Sequence, residues 1–182
     1  MEHFILEINN QLSADVCAFM IEKFEQDTHK QPGTVGAGYR PDIKRSLDLF
    51  LTDLPEWKDI DTLLFEHLTS AVKLYSDKFP ILERFRLRDR GYQIQRTEVG
   101  EHYTWHADVG NKHGRDRVYV AIWYLNNVVE GGETEFKYQE YKVTPQVGKL
   151  VLFPAGWTHV HQGVSPISNT KYICVAWLCF AD

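Results

Sequence analysis

Only three of the 182 residues are cysteine, Cys17, Cys174 and Cys179. The number is odd and no two are spaced as a CxxC pair, which argues against a disulfide framework and a zinc knuckle and fits a reducing cytoplasm. No apolar stretch approaches the length that crosses a bilayer. The start, Met1-Glu2-His3-Phe4, lacks the basic residues and apolar run of a secretory leader. A soluble, cytoplasmic protein with no membrane partner is therefore expected. Positive charge is scarce: 20 Lys and Arg against 25 Asp and Glu leave a net charge of −5, so a general nucleic-acid partner is not expected. The basic cluster of Lys112, Arg115 and Arg117 is short, is interrupted by Asp116, and reads as a solvated loop. No Ser or Cys sits in a nucleophile elbow. Gly131-Gly132 lacks the flanking strand and helix of a dinucleotide or P-loop site and reads as a hairpin turn.

The chain is long enough for a substantial core but short for two, so a single domain over 1–182 is expected. Residues 1–80 read as helical support with lead-in strands, and 90–180 as the core that carries the chemistry. Ser13 can cap a helix whose apolar stripe is Cys17, Met20, Ile21 and Phe24. From Gln31 to Arg40, Pro32 and three glycines without a hydrophobic period predict a loop, of a kind suited to a lid. A second helix is predicted from Asp53, with Glu56 completing a capping box and Pro55 in the first turn. Trp57, Ile60, Leu64, Leu68, Val72 and Tyr75 form its buried stripe as far as Lys78, and His67 on it reads as a packing or surface residue. Beyond Glu83 come short β-rich runs: Tyr92 to Val99, Arg117 to Leu125, Lys149 to Phe153 and Lys171 to Phe180. Two helices followed by such runs predict a mainly β protein, sheet on sheet, with helices flanking one side.

The chemistry concentrates in two segments. In an extended chain residues two apart share a face, so His106 and Asp108 bring an imidazole and a carboxylate together. His-x-Asp alone is common, and a metal site needs a further ligand. His159 and His161 both offer one. Two histidines and a carboxylate on one face of a metal leave positions open for reaction, the facial triad of non-haem iron(II) oxygenases. A closed zinc site would ask for a fourth ligand and thiolates, which are not near these histidines in sequence.

These segments resemble the 2-oxoglutarate dioxygenases of the prolyl 4-hydroxylase type. Glu98 to Asp108 is similar to that family's Val-Gly-x-x-Tyr-x-x-His-x-Asp stretch. Ile122-Trp123-Tyr124-Leu125-Asn126, followed by Glu130-Gly131-Gly132-Glu133-Thr134-Glu135-Phe136, resembles its strand and Gly-Gly-x-Thr-x-Phe turn. Gly148 to Pro154 precedes the distal histidine, and Lys171-Tyr172 with Trp177 follows it. Leu12-Ser13 with Cys17, and Arg45-Ser46 before Phe50-Leu51, look like the family's N-terminal helix and lead-in strand.

The resemblance implies a double-stranded β-helix, or jelly roll, with Fe(II), 2-oxoglutarate as co-substrate, O2 and ascorbate as an auxiliary reductant. It implies His106, Asp108 and His161 as the catalytic metal ligands, since His161-Gln162-Gly163-Val164-Ser165-Pro166 fits the family's register better than His159. It implies Lys171 as the cation that holds the distal carboxylate, with Tyr124 as its partner. Many relatives carry a tyrosine where this chain has Thr97, a contact that Tyr92 or Tyr103 would have to supply. Arg117 and Trp177 match substrate-side positions. The implied reaction is hydroxylation of a C–H bond, in a prolyl residue of a peptide or protein partner, with release of succinate and CO2. The same core also serves hydroxylases of other amino acids and small molecules. A non-catalytic metal-binding jelly roll and a zinc hydrolase are rival readings, and both leave Lys171 unexplained.

Overall fold

The structure is a computed structural model that describes residues 2–110 and 114–181. Strands β1 (Leu6–Ile8), β2 (Gln31–Pro32), β3 (Leu47–Phe50), β4 (Leu87–Thr97), β5 (Tyr103–His106) and β6 (Arg117–Tyr124) precede β7 (Thr134–Phe136), β8 (Tyr141–Val143), β9 (Leu150–Pro154), β10 (His161–Gly163) and β11 (Lys171–Phe180). Helix α1 (Ala14–Gln26) follows β1, and α2 (Lys58–Lys78) follows β3. A seven-stranded sheet runs β1-β9-β6-β11-β4-β3-β2 and a four-stranded sheet runs β5-β10-β7-β8. Their paired strands are antiparallel. The fold is thus mainly β, two facing sheets of jelly-roll type, with helices on the outer side of the larger one.

Alternation along the long strands sorts the core into two layers. Tyr119, Ala121 and Trp123 of β6 and Cys174, Ala176 and Leu178 of β11 pack against Cys17, Met20 and Phe24 of α1 and Leu64 and Leu68 of α2. The intervening residues Val120, Ile122 and Tyr124, with Ile173 and Val175, face inward onto Phe136, Val143 and Phe153. This inner face widens towards β5 and β10 into the cavity described below. Ser13 caps α1, its hydroxyl accepting from the Val16 N–H at 3.2 Å.

Three local expectations change. The predicted capping box at Asp53 is absent: a 3-10 turn over Pro55–Trp57 leads into α2, and Leu54 before it is extended at φ −100° and ψ 114°. A residue preceding proline is driven out of the helical region, so Leu54 cannot serve as a first helical residue after Asp53. Within the Gln31 to Arg40 loop, Gln31 and Pro32 pair with Asp48 and Leu47 as an edge strand, where a residue without an N–H is tolerated. Gly131-Gly132 is not a hairpin turn. It lies in the crossover from β6 in the large sheet to β7 in the small one, with φ of +74° and +76°. A Cβ on Gly131 would come within 2.4 Å of the Ser165 carbonyl oxygen, so glycine is required by space as well as by φ.

Candidate active site

Strand pairing assembles the site. In the β5–β10 ladder His106 and His161 are direct cross-strand partners, and their rings lie 4.2 Å apart. Asp108 follows the end of β5 by two residues, and its Oδ2 is 3.3 Å from His161 Nε2. One ligand-type atom from each of the three residues lies within 4.8 Å of the others. Asp108 and His161 are buried.

Hydrogen bonds outside the cluster fix which atoms face its centre. His106 Nδ1–H donates to the Thr104 carbonyl at 2.8 Å, and His161 Nδ1–H donates to the His159 carbonyl at 3.0 Å. With Nδ1 bonded outward, each imidazole turns its Nε2 towards the centre, the atom left to bind a metal. Asp108 Oδ1 accepts from Trp177 Nε1–H at 2.9 Å and lies 3.4 Å from Arg117, whereas the buried Oδ2 has no hydrogen-bond partner among the described residues. Two imidazole nitrogens and an unpartnered carboxylate oxygen converge there, an arrangement that a bound cation satisfies. The donor set, two imidazoles and one carboxylate, fits a divalent non-haem iron ion. Burial, helped by His161, pushes the His106 pKa down to about 3, so this ring stays neutral. Burial opposes ionisation of Asp108, but its surroundings, including the Trp177 N–H and the Arg117 guanidinium, outweigh it and hold the carboxyl below its usual range.

A cavity of about 590 Å³, open mouth included, extends from these residues across the inner face of the large sheet. Its floor is apolar, formed by Val120, Ile122, Ile173 and Val175, and its polar lining includes Gln95, Thr97, Thr134 and Lys171. Lys171 opens β11 and is only 4% exposed. Its Nζ donates to the Gly132 carbonyl at 3.0 Å, and burial pushes its pKa down to about 8 against a weak opposing pull from Glu133. A buried ammonium with no carboxylate at bonding distance among the described residues is poised for an anionic ligand.

The other nominated residues take varied positions. His159 points away from the cluster: its Nε2 bonds the His3 carbonyl at 2.9 Å and its Nδ1 lies 3.0 Å from Thr158 Oγ1. Only its backbone carbonyl serves the site, by holding His161. Tyr124 is fully buried and donates to Thr134 Oγ1 at 2.6 Å, so it reaches the cavity wall through that threonine. Tyr92, expected to touch the co-substrate, sits on the opposite face of β4, packed in the helix-side core beside Trp123. The reason is parity: Tyr92 and Thr97 are five residues apart on an alternating strand, so when one faces the cavity the other cannot. Tyr103 does line the cavity, stacked flat on His106 with centroids 3.5 Å apart. Arg117 and Trp177 stack on each other, guanidinium to ring centroid 4.2 Å, and both reach Asp108. Arg117 is thus turned inward rather than solvated, while Lys112 of the same basic cluster lies outside the described residues. Gln95 and Thr134 were not nominated as lining residues. Their signal was the alternation from Thr97 back to Gln95 and the threonine of the Gly-Gly-x-Thr turn.

Two imidazoles and a carboxylate at one end of the jelly-roll cavity, with a buried lysine in its wall, suit a non-haem metal ion and an anionic ligand. Residues 92–179 match the family model described as the 2OG-Fe(II) oxygenase superfamily. Among curated relatives, a PKHD-type hydroxylase of Synechococcus sp. (strain CC9902) is 32% identical over 106 residues, covering 54% of this chain and 46% of the relative. The matches to it and to a second Synechococcus hydroxylase span about half the length of those relatives. Among solved structures, the viral collagen prolyl hydroxylase of Paramecium Bursaria Chlorella virus-1, in its 2OG complex, superposes with a TM-score of 0.75. It is 16% identical, covering 98% of this chain and 97% of that one. A Trichoplax adhaerens prolyl hydroxylase, solved with a hypoxia inducible factor peptide, gives 0.77 at 18% identity, covering 97% and 84%. Over residues 92–179 the chain is thus similar to the 2OG-Fe(II) oxygenase superfamily, and its fold matches that of solved prolyl hydroxylases.

Proposed function

We propose that the chain is an Fe(II)- and 2-oxoglutarate-dependent hydroxylase of a prolyl residue in a peptide or protein, releasing succinate and CO2. The observation that carries the reading is one cavity holding both a convergent, cation-demanding donor set and a separate buried lysine. A metal site alone has no use for Lys171, and a dicarboxylate co-substrate that chelates at one end needs it at the other.

In this reading His106, Asp108 and His161 hold the iron, which when loaded with 2-oxoglutarate supplies the oxidising chemistry with O2. Lys171 holds the distal carboxylate, Thr134 and Thr97 offer hydroxyls along the path, and the apolar floor excludes water from the chain between the two ends. Trp177 and Arg117 fix Asp108 from outside, leaving Oδ2 for the metal. The prolyl target takes its support from the prolyl hydroxylases that this fold resembles, one of them solved with a peptide. No described helix is long and apolar enough to cross a membrane.

The test is incubation with Fe(II), 2-oxoglutarate, O2 and proline-rich peptides, following succinate and the peptide mass, with ascorbate present and absent. Peptide-stimulated succinate together with gain of one oxygen on proline supports the reading. Succinate formation that no peptide stimulates, with free amino acids acting instead, moves the target to a small molecule.

A further inference from the structure

A second set of charged groups in the cavity wall is left unused by the metal and co-substrate reading. Lys44 and Asp48 form an ion pair at 2.6 Å with both side chains about 95% covered, and Ser46 Oγ–H donates to the other carboxylate oxygen at 2.7 Å. Lys44 and Ser46 line the cavity, and an added Cβ on Gly33 would sit 2.2 Å from Ser46 Oγ, so the wall is closed behind them. A buried ion pair contributes little net stability compared with apolar residues of the same size, so its presence beside the site asks for another account.

The account lies in what the ammonium touches. Residues 43–45 run antiparallel along β5: Lys44 bridges Tyr103, Thr104 N–H donates to the Ile43 carbonyl at 2.9 Å, and Arg45 N–H donates to the His102 carbonyl at 2.8 Å. Lys44 Nζ then lies 5.4 Å from the centroid of the Tyr103 ring, and Tyr103 stacks on His106 at 3.5 Å with a 10° interplanar angle. Asp48 pins the ammonium, the ammonium engages the tyrosine ring by a desolvated cation–π contact, and the ring lies against the imidazole. The Nδ1–H bond to Thr104 and the tilted contact with the His161 ring also touch His106, but a single hydrogen bond still permits the ring to swing about it.

We propose that Lys44, held by Asp48, is a positioning residue for the metal-binding His106 and acts through Tyr103. The inference rests on the assignment of His106, Asp108 and His161 as the metal site. It concerns the affinity and geometry of that site before any co-substrate or substrate binds.

The experiment is titration of the metal-free full chain with Co(II) as the probe ion, read by the visible absorption of the bound ion and by competition with a chelator. Wild type and His161→Ala test the site itself: if wild type takes up no cobalt, the metal assignment fails and this inference falls with it. If wild type binds and His161→Ala does not, the variants decide. Lys44→Met weakens Co(II) binding by about tenfold and alters the cobalt spectrum, as loss of an outer support for a metal-bound histidine does, while Lys44→Arg, which keeps cation and carboxylate bond, restores both. Tyr103→Leu is as weak as Lys44→Met, and combining the two adds no further loss. Should Lys44→Met fail to fold, Asp48→Asn, which keeps the shape and frees the ammonium, weakens cobalt binding in the same direction. Cobalt affinity unchanged in Lys44→Met or Asp48→Asn overturns the proposal. So does an arginine variant as weak as the methionine one, or losses that multiply in the double variant.

Discussion

Lys171 makes the pH dependence of co-substrate binding predictable. Burial lowers its pKa from 10.5 to about 8 in the free protein, so the folded chain gives up this proton at a lower pH than the unfolded chain. The sign follows from linkage: stability rises with pH between about 8 and 10.5, and below about 8 the folded state carries the full cost of a buried charge, about 3 kcal/mol as an upper bound. A bound carboxylate reverses this by favouring the ammonium, so 2-oxoglutarate binds the protonated form. Its affinity should be flat below pH 7.5 and weaken roughly tenfold between pH 7 and pH 9. Lys171→Arg, whose guanidinium stays charged, shares every pH effect on the metal and removes this one, so the ratio of the two titrations isolates the lysine. Lys171→Met should lose co-substrate affinity yet unfold at higher urea than wild type in the ligand-free form, gaining about 1–3 kcal/mol. Calorimetric titration and urea unfolding measure both. Wild-type affinity that does not change between pH 7 and 9, or a methionine variant less stable than wild type, would refute the reasoning.

Three further predictions concern supporting residues. His159→Ala keeps metal binding, because its ring bonds His3 and only its carbonyl serves the site, whereas His161→Ala abolishes it; metal content after dialysis separates them. Trp177→Phe removes the 2.9 Å bond to Asp108 Oδ1 and should weaken metal affinity by about 10- to 100-fold with little change in unfolding midpoint, read by chelator competition. Gly131→Ala places a Cβ 2.4 Å from the Ser165 carbonyl oxygen at a φ of +74°, and should destabilise the fold by about 1–3 kcal/mol in urea.

The parts legible in the sequence were those with a long period or a strong local signal. The stripe of α2 and the alternation of β6 and β11 extend over eight or more residues; the two strands and the end of α2 were readable to within a residue or two, while the start of α2 was placed too early. Strands β5, β7, β8 and β10 have three or four residues each, too few to carry a period, and they form the sheet that holds both histidines. His106 and Asp108 were visible as neighbours, but the cross-strand pairing with His161 is a tertiary fact and was reached through resemblance. The local misreadings have local causes. Asp53 resembled a cap until Leu54 is seen to precede proline, and Tyr92 resembled a cavity residue until its parity with Thr97 is counted. The Lys44–Asp48 pair left no signal, because two opposite charges four residues apart outside a helix read as solvated side chains until β5 is laid beside them.

The most direct measurement of the account is iron- and oxygen-dependent conversion of 2-oxoglutarate to succinate by the wild type, His161→Ala, His159→Ala and Lys171→Ala proteins. The account predicts turnover in wild type and His159→Ala, none in His161→Ala, and recovery in Lys171→Ala at raised 2-oxoglutarate. Absence of turnover in wild type while iron binds tightly, or turnover in His161→Ala, would contradict it.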